Sequence, residues 1–134
     1  MSVSVSIIVP CYNVAAYLDQ CMESLTGQSM KDIEIICVND GSSDCTAEIL
    51  REWRNRDRRV RIIDQKNSGV SAARNSGMAA AAGTYIGFVD PDDMVERNMF
   101  QRLVTAAAEK EADVAVCGYH EFCDCGDMDM PESG

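Results

Sequence analysis

No apolar run in this 134-residue chain approaches the roughly 20 residues that a membrane-spanning helix needs. The N-terminus carries no basic stretch followed by an apolar one, so no secretory signal is expected. There is no internal repeat and no Pro/Gly-rich linker, which points to a single domain. Basic residues are scarce: 12 Lys+Arg stand against 22 Asp+Glu, for a net charge of −10. A broad basic surface is therefore absent, and no nucleic-acid partner is expected. Neither GxGxxG after the first strand nor GxxxxGK[ST] occurs, which excludes a dinucleotide-binding fingerprint and a P-loop. The seven cysteines are odd in number, and several sit inside apolar stretches. Without a secretory signal, that pattern favours free thiols in a reducing, cytoplasmic setting. Cys117, His120, Cys123 and Cys125 can be drawn as a zinc site, but their spacing matches no closed zinc motif. Reduced residues near a terminus are the plainer reading.

What is present is enough for a core: 46% of residues are hydrophobic and 25% charged. The acidity is uneven. Residues 109–134 hold eight acids and one base, so the body before them is nearly balanced. The pattern predicts strands at Ser4–Val9, Glu34–Asn39, Val60–Asp64, Tyr85–Val89 and Asp113–Cys117. Helices are predicted at Ala15–Thr26, from Ser43 or Asp44 to about Arg56, at Val70–Ala82 and at Asn98–Glu109. Strands alternating with helices imply an α/β fold with a mainly parallel sheet. The strands read as unbroken apolar runs, as expected where both faces of a sheet are covered. The expected organisation is one domain over 1–118 and a flexible acidic tail over 119–134.

In such sheets ligands gather at the carboxyl ends of the strands. Those ends read Pro10-Cys11-Tyr12-Asn13, Asp40-Gly41-Ser42-Ser43-Asp44, Gln65-Lys66-Asn67-Ser68-Gly69 and Asp90-Pro91-Asp92-Asp93. The last is the most informative. Three carboxylates in four residues repel one another unless a cation intervenes, and Mg²⁺ or Mn²⁺ takes oxygen ligands. The competing reading is a helix cap from Asp92 or Asp93, although capping needs only one acid. Asp40 is balanced between ligand contact and ordinary turn chemistry. Tyr12 offers a face for stacking on a flat ring, but for a single aromatic core packing is the better reading. Gly69 to Gly77 opens a helix with small residues, suited to close backbone approach, and Arg74 adds a positive charge one turn in. The six arginines of Arg51–Arg61 read as a solvated helix end.

Taken in order, SIIVPCYN, VNDGSSD, NSGVSAARNSG and FVDPDD resemble the motif set of family 2 glycosyltransferases with the GT-A fold, over about residues 4–118. The resemblance implies a Rossmann-like three-layer α/β sandwich cut after about its fifth strand. It implies transfer of a sugar from a nucleotide-sugar, typically a UDP-sugar, with inversion and with Mn²⁺ or Mg²⁺, as in polysaccharide biosynthesis. Tyr12, within Pro10–Asn13, would lie along the base, and Asp40 would hydrogen-bond it. Gly69 and Arg74 would lie near the nucleotide and its phosphates. Asp90 would face the ribose, and Asp92 would ligate the metal. Pro91 replaces the small residue usual in that run, but a proline leaves both flanking side chains free.

The family's general base lies after the fifth strand. Glu121, Asp124, Asp127 and Asp129 match no family motif, so the base and the wall for a sugar or lipid-linked acceptor are expected beyond Gly134. The alternative is a binding module that holds a nucleotide-sugar without turnover. A phosphoacceptor domain would need an acidic pair where Pro10-Cys11-Tyr12 stands. A nucleotidyltransferase would need a Gly-rich basic loop there.

Overall fold

The computed structural model describes residues 3–109. The predicted strand Asp113–Cys117, the acidic tail and the Cys117/His120/Cys123/Cys125 cluster lie outside the described residues. Eight elements alternate along the chain: β1 (Val5–Cys11), α1 (Ala15–Thr26), β2 (Ile33–Asp40), α2 (Thr46–Arg56), β3 (Val60–Gln65), α3 (Val70–Ala80), β4 (Tyr85–Phe88) and α4 (Met99–Glu109). The four strands form one parallel sheet in the order β3-β2-β1-β4.

Side-chain alternation along β1 divides the core in two. Val5, Ile7, Val9 and Cys11 point to one face, where they meet Leu18, Cys21, Met22 and Leu25 of α1, Leu50 and Trp53 of α2, and Phe100 of α4. Ile8 points to the other face and, with Ile36 and Val38 of β2, meets Ala73 of α3. The result is the expected three-layer α/β sandwich. Gly77 explains how close α3 can come: a Cβ there would stand 2.5 Å from Ile8 Cγ2. Among the described residues, no helix is long and apolar enough to cross a membrane.

One expectation needs correcting. β1 and β2 are buried along their whole length, but β3 and β4 are not. Ile86 and Phe88 of β4 are exposed. The outer strands of the described sheet have a neighbour on one side only, so an apolar run need not mean cover on both faces. Those β4 residues line an apolar cavity of about 320 Å³ that continues along Phe100, Leu103 and Ala107 of α4.

Candidate functional site

Three connections meet at the carboxyl edge of the sheet, and each is tied to the next by side chains. Asn13, at φ 53°, turns the chain out of β1. Its Oδ1 accepts from the backbone N–H of Ser43 (2.8 Å) and of Asp44 (3.3 Å). In return, its own N–H donates to Ser42 Oγ at 3.0 Å. The Asp44 carboxylate accepts from Ala15 N, the first residue of α1, and from Thr46 N, the first residue of α2. One carboxylate thus serves two helix N-termini, where negative charge is favoured. Its pKa lies below the ordinary value, first because of the Thr46 hydroxyl, with the backbone N–H groups adding to that against desolvation.

Asp40 joins the second and third connections. It is 3% exposed. Its Oδ1 accepts from Gln65 Nε2 (2.9 Å) and Ser68 N (2.8 Å), and its Oδ2 from Gly69 N (2.9 Å). Desolvation pushes this carboxyl up, but the bonds from Gln65, Ser68 and Gly69 outweigh it and leave its pKa lowered. Asp40 therefore shapes the 66–69 segment and still keeps acceptor capacity on Oδ2. Gly69 sits at φ 101°, a left-handed conformation that only glycine adopts at little cost, and α3 starts directly after it.

A cavity of about 310 Å³ opens among these residues, lined in part by Pro10, Tyr12, Asp40, Asn67, Gly69 and Ala73. That volume is at the small end of the roughly 300–1,000 Å³ range of ligand pockets. Tyr12 is 51% exposed, so the core-packing reading of this ring does not apply. Pro10 lacks an N–H and lies past Ile8–Phe88, where the β1–β4 ladder ends.

The fourth strand end carries the acids. Carboxylate oxygens of Asp90, Asp92 and Asp93 lie within 4.8 Å of one another. Asp93 N donates to Asp90 O at 3.0 Å, which closes a turn. Neither Asp92 nor Asp93 caps a helix, because α4 begins only at Met99. The capping reading is thereby removed. Arg74 of α3 reaches across to Asp90 Oδ1 at 3.5 Å, and its guanidinium lies 5.9 Å from the centre of the Phe88 ring. Its Nε is buried without a hydrogen-bond partner among the described residues.

The structure thus brings Pro10, Tyr12, Asp40 and Gly69 together around one cavity and pairs Arg74 with Asp90 in the acidic run that holds Asp92. Asn13 is not in the cavity wall; its side chain braces the adjoining loops. Sequence reasoning missed Gln28, whose buried carboxamide bonds the segment that follows the acids. A polar residue just past a helix end gave no sign of burial.

The sequence profile of Glycosyl transferase family 2 matches residues 6–133. The chain is 51% identical over 117 residues to a Bacillus subtilis (strain 168) protein described as the uncharacterized glycosyltransferase EpsJ, a match covering 87% of this chain and 34% of EpsJ. Residues 1–349 of S. aureus TarS in complex with UDP-GlcNAc superpose with a TM-score of 0.76 at 28% identity, over 81% of this chain and 32% of that one. The mannosyltransferase PcManGT from Pyrobaculum calidifontis, in complex with GDP-Man and Mn²⁺, superposes with a TM-score of 0.74 at 22% identity, over 81% and 33% of the two chains. The chain therefore spans about a third of the length of EpsJ, of TarS 1–349 and of PcManGT.

Proposed function

Since the chain belongs to glycosyl transferase family 2 and has the GT-A fold of its structural neighbours, we propose that its carboxyl-edge cavity holds the nucleoside diphosphate of a nucleotide-sugar for inverting transfer to an acceptor hydroxyl. The observation that carries this reading is the continuity of α3. Its Ala73 lines the cavity beside Tyr12 and Asp40, and its next residue, Arg74, pairs with Asp90 of the acidic run. A flat, polar ring at one end and a charged diphosphate at the other match that layout.

The exposed Tyr12 offers a face for stacking on a base. Asp40 offers Oδ2 to a base N–H, with uracil the proposed base. Gly69 lets the backbone approach the nucleotide without a side chain. Arg74 brings positive charge to the phosphates, and Asp90 takes the ribose. The acidic run suits a hard divalent cation by donor type and spacing. Asp92 would hold Mn²⁺ or Mg²⁺, which when bound supplies charge neutralisation to the departing diphosphate.

Transfer breaks the bond between the anomeric carbon and the diphosphate oxygen and forms one to the acceptor oxygen, whose proton passes to a general base. We assign that base and the acceptor wall to the rest of a longer enzyme, a reading supported by the one-third span. The free thiols of Cys11, Cys21, Cys37 and Cys45 support a cytoplasmic setting.

The test is to incubate the purified chain with UDP-sugars, Mn²⁺ and a panel of acceptors, and to follow UDP release beside a calorimetric titration. Binding without acceptor-dependent release is expected, since base catalysis contributes about 10²–10⁴-fold and acceptor positioning more. Release that rises with acceptor concentration would put the base within residues 1–134. No binding of any nucleoside diphosphate would overturn the reading.

A further inference from the structure

We infer that Gln28, far from the acids in sequence and fully buried, is the positioning residue for the Asp90–Asp93 run and so sets its affinity for a divalent cation. The inference rests on the donor-site reading above. Its basis is a set of hydrogen bonds that hang the whole 90–100 segment from one side of α1 and the turn after it.

Gln28 is 0% exposed. Its Nε2 donates to Glu96 O at 2.7 Å and to Ser24 O at 3.2 Å. Its Oε1 accepts from Phe100 N at 3.1 Å. That N–H belongs to the first turn of α4, where backbone donors have no partner within the helix. A glutamine from another element supplies the missing acceptor and so fixes where α4 begins. The same carboxamide, turned the other way, holds the carbonyl of Glu96 between the acids and the helix.

Neighbouring contacts act in the same direction. Val95 N donates to Ser24 Oγ at 3.2 Å, and Ser29 N to Arg97 O at 2.8 Å. At the other end of the run, Cys21 Sγ donates to Asp90 O at 3.7 Å. Asp90 and Asp92 stand exposed, and the Asp92 carboxylate accepts no hydrogen bond among the described residues. The position of Asp92 is therefore set by the backbone on either side, while Asp90 also pairs with Arg74. On the C-terminal side, Gln28 makes two of those backbone bonds with one buried group, and no water replaces them if they are lost.

The experiment compares the unmutated chain, Gln28→Met and Ser24→Ala. Methionine fills nearly the same volume but neither donates nor accepts as an amide does. UDP affinity is titrated calorimetrically with Mn²⁺ and with EDTA, and amide exchange is followed at Val95 and Phe100. For Gln28→Met the expected result is loss of most of the Mn²⁺ enhancement, about tenfold in affinity. The affinity in EDTA should stay unchanged, and Phe100 exchange should speed up while that of β1 and β2 does not. A general loss of stability would lower both affinities together. Ser24→Ala, which removes the Val95 bond and the hydroxyl's own bond to Cys21 O within α1, should give a smaller loss of the same kind and serves if Gln28→Met does not fold. Full Mn²⁺ enhancement in a folded Gln28→Met, or in Ser24→Ala if that is the variant that folds, would overturn this inference and leave the donor-site reading standing. An unmutated chain that gains nothing from Mn²⁺ would overturn the metal assignment and this inference with it.

Discussion

Asp40 is buried and receives three hydrogen bonds from Gln65, Ser68 and Gly69, whereas Asp90 and Asp92 stand exposed at the end of β4 with an ion pair from Arg74. The two regions lie along one edge of the same sheet, yet they hold their carboxylates in opposite ways. At the cavity, the carboxylate completes the protein's own backbone, so its shape exists before any ligand arrives. At the acidic run, the carboxylate oxygens of Asp90, Asp92 and Asp93 lie within 4.8 Å of one another, and Arg74 pairs with Asp90. A single edge can thus hold a preformed cavity beside an exposed charge cluster, the place where the proposed function puts a cation.

The largest expected effect breaks the first half of that comparison. Asp40→Ala removes the acceptor for three donors around a buried site. The donors on Gln65, Ser68 and Gly69 are only part-buried and regain some hydration, so thermal unfolding should show a loss of about 1–3 kcal/mol. Nucleotide binding should fall with it, because the 66–69 segment loses its anchor. An unchanged melting temperature would show that Asp40 does not organise this loop.

Asp92→Ala should do the reverse. Its side chain is exposed, and surface changes of this kind usually stay within about 0.5 kcal/mol in stability. Yet the Mn²⁺ enhancement of UDP binding should drop by more than about 1.4 kcal/mol, or tenfold. Calorimetry of the variant with and without Mn²⁺ checks this.

A third outcome concerns pH. A carboxyl whose folded pKa is depressed adds stability above its ordinary pKa and loses it as pH falls through the folded value. Asp40, Asp44 and Glu34 all have lowered values. Stability should therefore decline below about pH 4, near the ordinary carboxylate range. Asp40→Asn should flatten part of that decline in urea unfolding measured from pH 6 to pH 3. An unchanged slope would exclude Asp40 as a contributor.

The smallest effect is that of Arg74→Gln. Its pair with Asp90 is half exposed, and such pairs contribute about 0–1 kcal/mol to stability. The melting temperature should barely move, while UDP binding weakens more than uridine binding does, because only UDP carries the diphosphate. Equal weakening of both ligands would remove Arg74 from the phosphate end.

The sequence was most readable where a single period governs the pattern. Leu18, Cys21, Met22 and Leu25 mark one helical face, and α1 has the limits read from it. The strand ends that carry Tyr12, Asp40, Gly69 and Asp90 were legible too, because ordered motifs sit at successive strand ends. Three features were not. Asp40 has the same sequence context whether it turns the chain or binds a ligand, and only the positions of Ser68 and Gly69 show that it holds the loop. Gln28 joins residues far apart in the chain, and no local pattern records such a bond. Ile86 and Phe88 look like core residues by composition, but exposure depends on the strand's place in the sheet.

The central claim is that this edge binds a nucleoside diphosphate with help from a divalent cation at the acidic run. It is tested most directly by titrating UDP into the unmutated chain in Mn²⁺ and again in EDTA. The account predicts binding that is tighter in Mn²⁺ by at least about tenfold, with the difference abolished in Asp92→Ala. Equal affinity in the two buffers would contradict it.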